Sequence, residues 1–451
     1  MLIGVKVQNF KSFNDSTAFS MIASNKLRKQ KERLYESDTI SLLKSTVIYG
    51  PNASGKSNFV EVLRFMKECV INQEIPIESY NWYCRNHEDN KEKISSFSVQ
   101  LLLNEDCYEY GFDAILNTQT IKDEWIVNLN KKKVLYQRNN DGKPLNGLNL
   151  EKEDRMRMEI YLDDFLHNDK SLFLTEMNRN KSFDKDSELS VYHRIYNWFA
   201  KDLNVVLPDM PLTDFAYYYD KNSLNMVKKI VRTLDTGIED IEIKHISEDQ
   251  LINKIGIELY KDVVNKFKKK VKDDEANFHL SMRSKKEIFS ITMGQDYNLI
   301  IETISFKHGK SMLDFEFCEE SEGTRRIFDF LDILFNKNKN SVYVIDEMER
   351  SLHPNLFKHF IELLNQYQKK SNIQVIFTTH QSEIMSQDLF RRDQIWFIER
   401  DKNNDSKIYS LDTFNERFDK KISKAYLEGR YGAIPQFKSF KFKSFNINEL
   451  E

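Results

Sequence analysis

Alternation of apolar and polar residues opens the chain, MLIGVKVQNF, and predicts a strand over residues 2–7. Apolar runs bounded by turn residues predict further strands over 46–49, 97–103 and 108–115, with a hairpin turn at 104–107. A helix is expected from Asn58 onward, so residues 1–120 have the pattern of an α/β lobe. From 121 to 298 the chain turns charged and helix-favouring, with leucines and aromatics at helical spacing over 150–166, 189–203 and 251–272. This predicts an inserted, mainly helical subdomain whose aromatic positions form a core. Beyond 299, strands over 341–345, 374–378 and 394–398 alternate with helical stretches, the pattern of parallel strands with crossover helices. The predicted fold class is α/β, in three parts: an N-terminal lobe at 1–120, the insertion at 121–298 and a C-terminal lobe at 299–451.

Composition narrows the setting more than the function. The 67 basic and 70 acidic residues leave a net charge of -3, so no global basic field argues for nucleic acid. Lysine runs at 131–133 and 268–272 are compatible with phosphate contacts, but solvated helix faces explain them more plainly. The tail at 436–445 interleaves lysine with phenylalanine, which suits single-stranded nucleic acid, a partner groove or a frayed end. Cys69, Cys84, Cys107 and Cys318 form no CxxC pair, and the first residues carry no secretory pattern, so a reducing, cytoplasmic location is expected. No run approaches the roughly 18 apolar residues that would span a bilayer.

The candidate chemistry starts where the 46–49 strand runs into Gly50-Pro-Asn52-Ala-Ser-Gly55-Lys56-Ser57, which fills every fixed position of a GxxxxGK[ST] phosphate loop. Glycines let backbone amides curl around phosphates, Lys56 reaches the β and γ groups, and Ser57 can ligate magnesium. Gly50, Asn52, Gly55, Lys56, Ser57 and Asn58 are therefore the nucleotide-binding candidates, with ATP and Mg2+ as expected cofactors. Downstream, Val342-Tyr-Val-Ile-Asp346-Glu347 is an apolar strand ending in two acids at the sheet edge where nucleotides bind. Asp346 suits the magnesium ion and Glu347 an attacking water. A further strand ends in His380, at the same edge, where a γ-phosphate sensor would sit. Between them, Glu320-Ser321-Glu322-Gly323-Thr324-Arg325-Arg326 precedes an apolar helical run and offers a hydroxyl, an amide and a helix N-terminus to an anion; alone, it would read as a serine helix cap.

The order of phosphate loop, long insertion, serine-glycine segment, Asp-Glu strand and strand-end histidine resembles the ABC-type ATPase superfamily, in its chromosome-maintenance and RecF-type branch. NFKSF, FSMIASNK, IYGPNASGKSN, ESEGTRR, VIDEMERSLHPNL, FTTHQSEIM, DQIWFIERD and YLEGRYGAIPQF look like the OLD-like ATPases of prokaryotic anti-phage modules, including those beside RloB-type effectors and in PARIS and AbiL systems. The resemblance covers about 1–120 and 300–437. It implies that Lys56 and Ser57 bind phosphate and magnesium, Asp346 is the Walker B acid, Glu347 the catalytic base and His380 the switch histidine. It also implies that Ser321 and Gly323 contact ATP held by a second subunit, giving a homodimer or higher oligomer closed by an ATP sandwich, with residues 348–353 communicating between sites.

The signature departs from LSGGQ, since glutamates replace the leucine and the first glycine, which weakens the expected trans contacts. Arg325 and Arg326 are candidates for a trans positive charge or for ordinary helix-face ion pairs. No glutamine loop is identifiable; Gln100 lies mid-strand. Only about 70 residues follow His380, without a DxD cluster, so a fused Toprim nuclease is not expected. The leading expectation is the sensor or regulatory ATPase of an abortive-infection system, controlling a separately encoded effector such as a nuclease or Toprim protein and answering a phage-encoded trigger. The alternative is a DNA-repair or chromosome-maintenance ATPase that clamps DNA, which long coiled-coil arms and a basic inner surface would favour. A scaffold that uses ATP only to dimerise is disfavoured by Glu347, and a transporter motor by the insertion and the altered signature.

Overall fold

The computed structural model describes residues 1–435 except 28, 140–144, 167, 180, 182, 185, 211–220, 273–278, 284–286, 294–297, 311–312, 337 and 415–420. A seven-stranded antiparallel sheet runs in the order Leu145–Asn146, Lys133–Asn139, Thr120–Asn128, Asp106–Ile115, Ser95–Leu103, Leu2–Gln8, Thr17–Ser20. Its central hairpin has Leu103 opposite Asp106, and both turn residues are left-handed, Asn104 at φ 48° and Glu105 at φ 70°. That is the two-residue turn whose twist matches the strands it joins.

The second sheet carries the phosphate loop. Its order is Leu203–Val206, Val342–Ile345, Gln374–Thr379, Ser45–Tyr49, Ile395–Arg400, Ser406–Ser410, parallel except for the last strand. Its central strands are apolar without alternation because both faces are covered. Ile48, Val344 and Ile376 share one core with Phe59, Leu63 and Met66 of the helix Lys56–Asn72 and with Leu2, Val5 and Val99 of the antiparallel sheet. The intervening residues Val47, Tyr49, Tyr343, Ile345 and Phe377 belong to a second core, built with the helices Glu322–Phe335 and Pro354–Gln368. The mixed α/β class thus arises from one parallel sheet covered by helices on both faces.

The middle segment differs from its expected character. Residues 121–298 hold the helices Lys152–Phe165, Ser190–Asn197, Lys221–Thr233, Glu248–Ile255 and Ile257–Lys272, but also strands of all three large sheets. Thr120–Asn128 and Lys133–Asn139 extend the antiparallel sheet, and Leu203–Val206 forms the edge of the parallel one. Ile238–His245, Leu299–His308, Ile288–Met293 and His279–Arg283 make a further antiparallel sheet, with Phe315–Glu316 beside Leu299–His308. Charge masked these strands because some of it is internal. Glu124 is fully buried, accepts hydrogen bonds from the Phe173 and Leu174 amides and the Tyr110 hydroxyl, and lies 3.6 Å from Arg138. The helix expected over 251–272 is broken at Gly256, φ 85°, after a helix opened by a Ser247–Gln250 capping box. Side chains of 268–272 and the tail at 436–445 lie outside the described residues. Among the described residues no helix is long and apolar enough to cross a membrane.

Candidate nucleotide site

The loop after Ser45–Tyr49 leaves a fully buried strand, so its shape is set by close approaches. A Cβ at Gly50 would collide with the Ile398 carbonyl of the neighbouring strand, and Gly55 sits at φ 110° with the Ser12 and Ser406 hydroxyls against it. The Ser406 hydroxyl donates to the Ser54 carbonyl at 2.6 Å, and the Asn58 amide donates to the Ser12 hydroxyl at 2.7 Å. The NFKSF turn and the turn before Ser406–Ser410 therefore brace the loop from both sides. Arg400 adds a hydrogen bond to the Ala53 carbonyl.

Lys56 starts the following helix, and its ammonium donates to the Gly50 and Pro51 carbonyls at 2.8 and 3.1 Å. Burial pushes its pKa down to about 8, opposed by the carboxylates of Asp346, Glu349 and Glu347 in that order. Asn52, Gly55, Lys56, Ser57 and Asn58 line a cavity of about 1010 Å3 together with Glu347 and His380. Gly50 and Asp346 stand behind that wall, and Asp346 is only 2% exposed.

The acids are placed by the neighbouring strand end. Thr378 donates its hydroxyl to Asp346 Oδ1 at 2.6 Å and accepts from the Glu347 amide at 2.8 Å. The Asp346 amide donates to the Val206 carbonyl at 2.9 Å. Glu347 then turns left-handed, φ 46°, an uncommon conformation for a residue with a side chain, and it faces the cavity. His380 is exposed, yet partial burial and then the Lys56 ammonium lower its pKa, against the pull of Asp346. The imidazole is thereby biased to its neutral form, able to accept a hydrogen bond.

The signature residues stand elsewhere. Ser321 is exposed and caps the helix Glu322–Phe335, its hydroxyl accepting from the Thr324 amide at 3.0 Å. Neither Ser321 nor Gly323 lines the cavity within one chain. Gly323 is instead required by packing, since a Cβ there would lie 2.6 Å from the Ser351 carbonyl. Arg326 is 7% exposed, its guanidinium 4.8 Å from the Phe330 ring and 3.9 Å from Asp329, and burial pushes its pKa down to about 10. Within its own chain Arg326 thus faces Asp329 and Phe330 of its own helix, as the helix-face reading expects. Gln100 donates to Glu109 within the antiparallel sheet and is no wall of the cavity.

Several cavity residues escaped the sequence reading, among them Lys11, Trp82, Tyr83, Arg85 and Arg400. Lys11 stacks over Trp82, 4.2 Å from the ring centre. The KS of NFKSF and the arginine of DQIWFIERD were the available signals for this wall. Glu287, Glu316 and Cys318 bring ligand atoms within 4.8 Å of one another, but the Lys254 ammonium already pairs with Glu287 at 2.5 Å and Glu316 at 3.0 Å. All four cysteines are free thiols.

No curated protein matches the chain. Among solved structures it is similar to the SmcHead in the crystal structure of the SmcHead bound to the C-winged helix domain of ScpA, at 13% identity and TM-score 0.42, covering 91% of this chain and 97% of that one. It is also similar to the SMC head domain from Thermotoga maritima, at 12% identity and TM-score 0.36, with coverage of 91% and 98%. The family model described as "AAA domain, putative AbiEii toxin, Type IV TA system" matches residues 45–386, from the phosphate-loop strand to just beyond His380, and the chain belongs to that AAA-domain family.

Proposed function

We propose that the chain is an ABC-type ATPase that binds ATP with magnesium in this cavity, dimerises around it, and serves as the regulatory ATPase of an anti-phage module with a separately encoded effector. The observation that carries the ATPase part is the convergence of Lys56, Glu347 and His380 on one cavity beside the ends of parallel strands. The Ser57 hydroxyl and the Asp346 carboxylate would be the oxygen donors for a hard divalent cation, and the Asp346 charge already bears on Lys56. Bound there, magnesium would neutralise charge on the transferring phosphoryl group.

The chain's own residues supply the rest. Lys56 exchanges its two carbonyl partners for phosphate oxygens, and the loop amides around Gly55 cradle the same group. Glu347, held facing the cavity by its left-handed backbone, takes a proton from the attacking water. His380, biased to the neutral form, accepts a hydrogen bond from that water or holds it in line with the γ-phosphate. Ser321 and Gly323, outside the cavity in one chain, would complete the site of a second copy. The defence assignment is supported by the family description, which includes a toxin–antitoxin system.

Pull-down from cells expressing the native locus tests both parts, comparing wild type with Lys56→Ala and Glu347→Gln. A second protein whose capture depends on the ATP-site state is expected, whereas recovery of duplex DNA alone would favour the clamp instead. In purified protein, Glu347→Gln is expected to lower kcat by about 10²–10⁴ while ATP binding survives. Full turnover in that variant would remove Glu347 from the chemistry.

A further inference from the structure

Beyond Ile345 and Phe377 the parallel ladder between the acid strand and the histidine strand has no further paired residues. Beside the Thr378 hydroxyl's bond to Asp346, hydrogen bonds from three backbone amides carry the contact onward. The Glu347 amide donates to the Thr378 hydroxyl, the Met348 amide to the Thr378 carbonyl at 3.1 Å, and the His380 amide to Glu349 Oε1 at 2.6 Å. The last of these uses a side chain where a backbone carbonyl would have served. A neutral acceptor would satisfy an orphan amide at lower cost than a carboxylate, whose burial is penalised. Glu349 is nevertheless 9% exposed, and its Oε2 has no partner among the described residues.

The surroundings of that carboxylate are equally unusual. Among the described residues, the hydroxyl of Tyr49, the residue before Gly50, and the Nε and Nη2 atoms of Arg326 on the signature helix have no hydrogen-bond partner. The Glu349 charge acts on both, and on Lys56. One buried acid thus bears electrostatically on the phosphate-loop strand and the signature helix while it is hydrogen-bonded to the end of the histidine strand. Each must hold its place when nucleotide arrives.

We propose that Glu349 is a positioning residue for hydrolysis: by accepting the His380 amide it fixes the histidine against the acid turn, so that His380 and Glu347 address the same water. The inference rests on the proposed ATPase function and adds a residue that touches neither nucleotide nor water.

Steady-state ATP hydrolysis by wild type, Glu349→Met and Glu349→Gln tests it, with exchange of the His380 amide followed in each protein without nucleotide. Methionine keeps the length and apolar bulk but removes the acceptor; glutamine restores an acceptor oxygen. Expected are a kcat at least about tenfold lower in Glu349→Met with KM within about twofold, and a kcat within about threefold of wild type in Glu349→Gln. An unimpaired Glu349→Met overturns the inference, and so does a glutamine variant that keeps His380 protection yet is as slow as the methionine one. Should Glu349→Met fail to fold, Glu349→Gln carries the test: His380 protection and kcat must be retained or lost together, and a change in one alone overturns the inference. Absence of turnover in wild type would instead sink the proposed ATPase function itself, so the two failures are distinguishable.

Discussion

Lys56 shows how one residue can report on its own ligand. Its pKa of about 8 reflects an ammonium desolvated by burial, with only carbonyl partners and distant carboxylates to compensate. Phosphate oxygens would raise it again, so binding takes up a proton above about pH 8, and ATP affinity should fall as pH rises beyond that point, by up to about tenfold per unit. Calorimetry between about pH 7 and pH 9.5 checks this through Kd and buffer-dependent enthalpy; a flat affinity would contradict it. Without nucleotide the sign differs. Between about 8 and the ordinary 10.5 the unfolded chain binds the proton that the fold does not, so this group's contribution to stability rises with pH across that window. The place of Lys56 on the cavity wall was legible because the loop motif is local and contiguous. Glu349 was legible only as a member of an inter-site loop. Its partner, the His380 amide, lies on another strand and is brought to it by packing that no spacing encodes.

Among elements, the helix Glu322–Phe335 is closely constrained by a neighbour. Glycine near a helix start normally gains from replacement by alanine, but at Gly323 the added Cβ would meet a backbone oxygen, Ser351 O, at 2.6 Å. Gly323→Ala is therefore expected to lower stability by about 1–3 kcal/mol, against a change within about 0.5 kcal/mol for Glu322→Ala at the exposed adjacent position. Denaturant titration of the two variants decides; a stabilised Gly323→Ala would show that the acid turn yields easily. Elements with local signals were readable: the doubly buried strands by their unbroken apolar runs, the hairpin turn within 104–107 by the apolar runs on either side of it. Strand Thr120–Asn128 was not, because TIKDEWIVN buries an acid whose Arg138 and amide partners come from other segments. Nor was the break at Gly256, where a single left-handed residue divides one amphipathic pattern into two helices.

For the whole molecule the decisive matter is that the cavity and the signature helix cap do not meet within one chain. If the site is shared between copies, Glu347→Gln should double its mass in light scattering when ATP and magnesium are added. Lys56→Ala should not, and Ser321→Arg, which places a bulky charge on the exposed cap, should abolish the shift without unfolding the chain. A monomer under all conditions would leave Ser321 as a helix cap alone.

The parallel sheet also has a history written into its strand order. Its edge strand comes from residues 203–206, its acid strand from 342–345, and the strand whose Ile398 carbonyl shapes Gly50 from 395–400. Pairings so distant in sequence form slowly and late. During synthesis the phosphate loop is made well before the two strands beside it, Gln374–Thr379 and Ile395–Arg400, so it gains those neighbours late. A chain made only as far as the loop therefore carries the motif without the sheet that shapes it: the Ile398 carbonyl that sets Gly50 is added only with the strand at 395–400.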